Sequence, residues 1–225
     1  MKKILTIVVD LLIIFLFVIT NYKIEYDAKE IIKSDNIKKI SNNVNKLEIY
    51  KKQYNNDDII GSIKIDGTKI DSLIVKGSDN KYYLNHSIDK KYNKIGTIFV
   101  DYRTNLSSKQ INIYGHNSLY YDLQFKDLEK YLDKNFYNEH KYIKIWDGIN
   151  TNIYEIFSVQ ITNNSEHMIV DSVNLKEHIN KLSKSIYETN VNVSELDNLL
   201  VLQTCYLKEK NTYIIICSKK VNSTI

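Results

Sequence analysis

The chain has 225 residues, 43% of them hydrophobic and 26% charged, and a net charge of +4. This is a globular composition, long enough for one domain with a substantial core plus a terminal segment. Lysines interleave with acids and no long basic run stands out, which argues against a nucleic-acid partner, and two cysteines are too few for a disulfide framework.

Lys2 and Lys3 precede an apolar run of about 17 residues, Ile4 to Thr20, interrupted by Asp10. That is the short end of a membrane-spanning helix, and an aspartate near the bilayer centre costs about 2.5–3.5 kcal/mol. Thr20-Asn21-Tyr22-Lys23 offers no small-residue cleavage site, so the run is read as an uncleaved signal anchor in preference to a removable signal peptide. The expectation is a cytoplasmic segment at 1–3, a single-pass transmembrane anchor at 4–22 and the remainder on the extracytoplasmic side. Ile37, Ile40, Val44 and Leu47 recur at spacings of three and four. They predict an amphipathic helical lead-in over 23–56 that lies against the following domain, 57–225.

From Ile59 the pattern changes to short runs typical of strands: Ile59–Ile65, Lys69–Lys76, Gly96–Val100, Gln110–Tyr114, Tyr142–Trp146 and Ile153–Ile161. Helices are predicted over Leu123–Asp133, with Leu128 and Leu132 on one face, and over Val173–Glu188, with Leu175, Ile179, Leu182 and Ile186 in line. Many short strands and few helices point to a closed barrel or a sandwich. Two final apolar runs, Leu199–Leu202 leading into Cys205 and Tyr213–Cys217, flank a polar segment and read as a hairpin. A turn near Glu209 pairs positions that sum to about 418, so Cys205 faces Tyr213 and Cys217 faces Val201. The two cysteines then lie roughly 13 Å apart along the strands, beyond disulfide reach. A thiol at a strand mouth is a candidate nucleophile; the alternative is a core cysteine.

Of the five histidines, His116 follows strand residues and Gly115 and precedes Asn117-Ser118, a placement that projects a side chain into a cleft. His140 sits in a solvated turn, and His178 falls on the polar side of its helix. A free cysteine with a histidine elsewhere is the generic pattern of a thiol nucleophile and its acid/base partner. No C-x-x-C, H-x-x-x-H or acid pair with ligand spacing occurs, and no metal or cofactor is expected.

Tyr82-Tyr83-Leu84-Asn85-His86, Gly96-Thr97-Ile98-Phe99-Val100-Asp101, Tyr114-Gly115-His116-Asn117 and Leu202-Gln203-Thr204-Cys205 occur in this order, with a long helix ahead of the last. In these motifs the chain resembles the sortases, and among them class B. The resemblance implies a mainly β fold: a closed eight-stranded barrel with an N-terminal helical extension and a helix before the penultimate strand. It also implies a cysteine transpeptidase on the outer face of a Gram-positive cell membrane. Cys205 would attack the threonine carbonyl of a C-terminal sorting signal of N-P-x-T or S/P-P-x-T type, carried by a surface protein. His116 would exchange protons, and a cell-wall precursor amine would accept the acyl group. The family places an arginine eight residues past the cysteine; Tyr213 stands there, and Arg103 is the only arginine of the chain. Tyr213 and Thr204 are therefore the candidates for stabilising the substrate oxyanion, with Lys208 and Lys210 as cationic alternatives. A degenerate, peptide-binding member and a thiol hydrolase are the competing readings.

Overall fold

The structure, a computed structural model, describes residues 45–118, 121, 124–163 and 174–221, together with 16, 18–20, 22, 29, 41 and 42. The chain divides into two units, 1–44 and 45–225. Within the second unit, eight strands form: β1 (Ile59–Ile65), β2 (Asp71–Val75), β3 (Phe99–Val100), β4 (Gln110–Tyr114), β5 (Tyr142–Trp146), β6 (Thr151–Thr162), β7 (Leu199–Cys205) and β8 (Tyr213–Lys220). They close into a barrel in the order β1-β2-β3-β4-β7-β8-β6-β5, and β5 returns to β1. The pairs β2–β3 and β4–β7 are parallel and the others antiparallel.

Side chains alternate across each strand, so the sequence sorts itself into an inner and an outer face. Ile63, Ile111, Ile113, Ile145, Leu200, Leu202, Ile214 and Ile216 fill the barrel. Their odd-numbered neighbours on the last hairpin, Leu199, Val201, Ile215 and Cys217, face outward and pack with Phe157, Ile179 and Leu182. Helix α2 (Lys134–Glu139) precedes β5, and helix α3 (Leu175–Leu182) covers that outer cluster. A third cluster, Ile59, Val75, Tyr83 and Phe99, is covered by Leu47, Tyr50 and Tyr54 of helix α1 (45–54). The β7–β8 register pairs Val201 with Cys217 and Cys205 with Tyr213, as the hairpin centred on Glu209 requires, and both cysteines are free.

Several elements depart from the sequence reading. The segment Gln124–Leu132 is a 3₁₀ helix, and the residues it buries in the barrel end are Phe125, Leu128 and Tyr131. A spacing of three aligns side chains at 3.0 residues per turn, so this helix presents a core face that a 3.6 period does not predict. Helix α3 stops at Leu182, short of Glu188, because serines offer the backbone other partners: the Ser183 hydroxyl donates to Ile179 O (2.8 Å), and the Ser185 hydroxyl accepts from Val159 N (3.1 Å). His178 is buried, not on a polar face, with Nε2 2.7 Å from Gln110 Oε1 on β4. His167 and residue 173 lie outside the described residues.

The single-pass anchor over 4–22, with the membrane location drawn from it, is corrected. No helix among the described residues is long and apolar enough to cross a membrane. A spanning helix needs about 20 apolar residues, whereas the run here is shorter and contains Asp10, and its described part is confined to 16, 18–20 and 22. The rest of 4–22 lies outside the described residues.

The sole arginine serves the fold. Arg103 forms a two-pronged pair with Asp101, Nε to Oδ1 at 2.8 Å and Nη2 to Oδ2 at 2.6 Å, and the Arg103 backbone N–H adds a bond of 2.9 Å. Asn80 Nδ2 (3.0 Å) and Tyr114 OH (2.9 Å) donate to the same carboxylate. Burial pushes the Asp101 carboxyl up, but the bonds from Arg103, Asn80 and Tyr114 outweigh it and hold the group well below the usual carboxylate range. A depressed acid stabilises the fold above its unfolded value and loses that contribution as pH falls. Asp101→Ala, which leaves Tyr114 and Asn80 donors unpaired, should cost about 2–3 kcal/mol near neutral pH in urea unfolding. The difference from wild type should shrink as pH is lowered from about 4.

Candidate active site

The end of the barrel where β4 and β7 run out together collects the candidate residues. The parallel register pairs Ile113 with Leu202 and Tyr114 with Gln203. It is carried past the strand ends by Gly115 N donating to Gln203 O (3.3 Å) and by the Thr204 hydroxyl donating to Gly115 O (2.7 Å). The same offset sets His116 level with Cys205. Since Ile113 and Leu202 point inward, the alternation turns His116 and Cys205 to the outer face, on strands about 4.8 Å apart. On the other side of β7, Tyr213 is the direct antiparallel partner of Cys205 and shares its face. Three residues ninety or more positions apart at the extremes thus form one row: His116, Cys205, Tyr213. Thr204 lies buried between the strands, where its hydroxyl fixes register.

Gly115 makes this closure sterically feasible. A Cβ there would stand 2.5 Å from the ring of Phe125, a residue packed in the barrel end. His116 is oriented from its far side: Nε2 lies 2.6 Å from Leu84 O. A carbonyl only accepts, so Nε2 carries the proton, and Nδ1 is the nitrogen left to take one. Cys205 is exposed, yet partial burial of its surroundings pushes the thiol up from its ordinary value, so the thiol form predominates at neutral pH.

Two participants were not singled out from the sequence. Asn117 is buried, and its Nδ2 donates both to Cys205 O (2.9 Å) and to Glu129 Oε1 (2.6 Å), while its Oδ1 has no partner among the described residues. Leu84 contributes only a backbone carbonyl, which no side-chain pattern reveals. Asn117 was legible, as the residue following His116. The other candidates fall away from the row. His86 stacks on Tyr82 (3.9 Å between centroids) and bonds Tyr82 O, and His140 packs on Phe136. Arg103 is committed to Asp101, opposite Asn112 near the start of β4, so it does not stand in for the missing guanidinium. Lys208 and Lys210 are exposed in the β7–β8 turn, with the Lys208 ammonium 6.0 Å from the Tyr206 ring.

Residues 63–221 match the sortase domain family, and sortase B of Listeria monocytogenes is 34% identical over 192 residues, 82% of this chain and 78% of that one. The chain belongs to the sortase family. Its similarities are to class B: sortase B of Staphylococcus aureus is 31% identical over 67% of this chain and 64% of its own. The crystal structure of Clostridium perfringens sortase B superposes with a TM-score of 0.71 at 28% identity, covering 78% of this chain and 99% of that chain. A Staphylococcus aureus sortase B–substrate complex does so with 0.70 at 26% identity, over 79% and 85%. The mainly β, closed eight-stranded barrel is that of these sortases, which are cysteine transpeptidases.

Proposed function

We propose that this sortase cleaves a C-terminal sorting signal after threonine and transfers the acyl group to an amine through a thioester on Cys205. The observation that supports the reading is the shared row and face of His116, Cys205 and Tyr213. The Cys205 thiol gives its proton to Nδ1 of His116 and attacks the threonine carbonyl. The imidazolium then protonates the departing amine, leaving the thioester. An incoming amine loses its proton to the same nitrogen and displaces the thiol. A thiol pushed up by burial needs this base during the attack, because little thiolate exists beforehand. Tyr213 supplies a hydroxyl to the developing oxyanion in place of a guanidinium, while Thr204 holds the strand ends that align the pair. The sorting signal is of N-P-x-T or S/P-P-x-T type, and the acceptor is a cell-wall precursor amine; the S. aureus sortase B complex with substrate supports a peptide donor by analogy.

Mass spectrometry of the protein incubated with a panel of sorting-signal peptides should show an acyl adduct on Cys205. Peptide binding without an adduct from any member of the panel would instead identify a binding protein on an inactive barrel, a reading favoured by the commitment of Arg103 to Asp101.

Gly115→Ala should separate alignment from folding. The added methyl meets Phe125 and should cost about 1–3 kcal/mol of stability. Displacing the His116 strand end by about 1 Å should lower the acylation rate by roughly 10²-fold. Chemical denaturation and single-turnover acylation measure the two effects on one sample.

A further inference from the structure

His116 is tied to β7 on both sides along the chain. Before it, Gly115 N donates to Gln203 O and the Thr204 hydroxyl donates to Gly115 O. After it, β4 has already ended at Tyr114, while β7 runs on to Cys205. In a parallel ladder, the bond after Gly115 N to Gln203 O falls between residue 117 and Cys205 O. The Asn117 side chain supplies it, with Nδ2 donating to Cys205 O at 2.9 Å. The ladder is thereby extended by one rung, past both reacting side chains. The same Nδ2 donates to Glu129 Oε1 at 2.6 Å. Glu129 belongs to the 3₁₀ helix Gln124–Leu132, which the core residues Phe125, Leu128 and Tyr131 fasten to the barrel end. Tyr131 OH donating to His140 O (2.7 Å) and Lys69 N donating to Asp127 Oδ2 (2.7 Å) fasten it further. The orientation of the amide is decided by its neighbours: turned over, its oxygen would face a carbonyl and a carboxylate, both acceptors. That orientation leaves Oδ1 buried without a partner among the described residues. A buried acceptor with no donor is unfavourable, so this position uses the two donors of the amide and not its volume.

We propose that Asn117 is a positioning residue for Cys205 and His116, and that Glu129 is the anchor that aims its amide. The proposal rests on the reading of Cys205 and His116 as nucleophile and acid/base. His116 stands between two fixed neighbours, Gly115 and Asn117, and these are bonded to residues 203, 204 and 205 of β7. Without the second tie, the nucleophile's backbone and the histidine's turn move independently. Proton transfer between thiol and imidazole needs the two within hydrogen-bond reach, so such freedom slows the chemical step. Asn117 is buried behind the row, and its effect falls on that step and not on the binding of peptide. The part played by Glu129 is that of an acceptor on a rigid element, which an uncharged acceptor can also fill.

Single-turnover acylation by a sorting-signal peptide, followed to saturation, tests the assignment. Asn117→Ala should lower the saturating rate by roughly 10- to 100-fold. The peptide concentration that gives half of that rate should stay within about twofold of wild type. Glu129→Ala should cost roughly three- to tenfold in the saturating rate, and Glu129→Gln, whose side-chain oxygen still accepts from Nδ2, should recover most of that loss. An unchanged saturating rate in Asn117→Ala overturns the proposal, as does a loss that lies in half-saturation. A Glu129→Gln variant as slow as Glu129→Ala assigns the effect to charge and equally overturns it. The Glu129 pair decides the matter by itself if Asn117→Ala does not fold. Alkylation of Cys205 by iodoacetamide gives a reading without peptide. The part of the rate at neutral pH that His116→Ala removes should also be missing in Asn117→Ala, and the rates should converge with wild type where the thiol ionises unaided. A uniform change at every pH would mark a general disturbance of the fold and overturn the proposal. A wild-type protein that forms no acyl-enzyme defeats the transpeptidase reading instead. Alkylation then decides the positioning role: it stands if Asn117→Ala lacks the part that depends on His116, and falls if that part is kept or if wild type has none.

Discussion

Cys205→Ala is expected to give no covalent adduct with any sorting-signal peptide and no amine transfer. The remaining thiol cannot substitute: Cys217 is fully buried under the outer cluster and pairs with Val201, four residues further from the barrel end. His116→Ala should keep the thiol but lose its proton acceptor, lowering single-turnover acylation by about 10²–10⁴-fold. The deficit of His116→Ala relative to wild type should be largest near neutral pH, because burial keeps Cys205 protonated there and the variant has no base to ionise it. Raising the pH through the range where the thiol ionises should recover part of the acylation step, and of acylation only. Departure of the amine still needs a proton donor. Equal rates for wild type and His116→Ala across the pH range would remove His116 from the chemistry.

Tyr213→Arg should accelerate acylation by up to about 10²–10³-fold, the contribution of one preorganised oxyanion donor. Tyr213 is the residue directly across from Cys205, and it is half-exposed, so a longer side chain has room to leave the surface. A guanidinium offers a rigid fork of donors and a fixed charge, which a phenol lacks. Tyr213→Phe provides the other bound: loss of the hydroxyl slows the reaction if that hydroxyl bonds the oxyanion and leaves it unchanged if it does not. The combination of an inert Phe variant and an accelerated Arg variant would mean that the wild-type site has no third group at all. A slower Arg variant would mean that the site has been rebuilt around tyrosine.

The architecture was legible in the chain wherever burial and period 2 coincide. β1, β4 and β5 occupy the residues that alternation assigns, and the last hairpin keeps the register expected of a turn near Glu209. The helices were less legible because their limits are set by partners elsewhere in the chain. Phe125, Leu128 and Tyr131 follow a 3₁₀ spacing fixed by the barrel end they plug, and α3 ends where Ser183 bonds back to Ile179 O and Ser185 accepts from Val159 N of β6. His178 looked solvated because Gln110, its partner 68 positions away, cannot be paired with it from a single sequence. Within the site, Cys205, His116 and Tyr213 were visible as residue types in motifs. Their common face was not, since it depends on the parallel pairing of β4 with β7. The membrane reading of the apolar run near the N-terminus rested on hydropathy alone, and among the described residues no helix is long and apolar enough to cross a membrane.

The β7–β8 hairpin holds its two thiols in opposite circumstances on one surface of the sheet, Cys205 open at the tip and Cys217 sealed beneath Leu182 and Phe157. This makes the molecule its own stopwatch. A maleimide pulse should tag Cys205 within the native state and Cys217 only in molecules whose outer cluster has come apart. Two peaks in one mass spectrum would then count, at any moment, how many copies are competent to react and how many have opened.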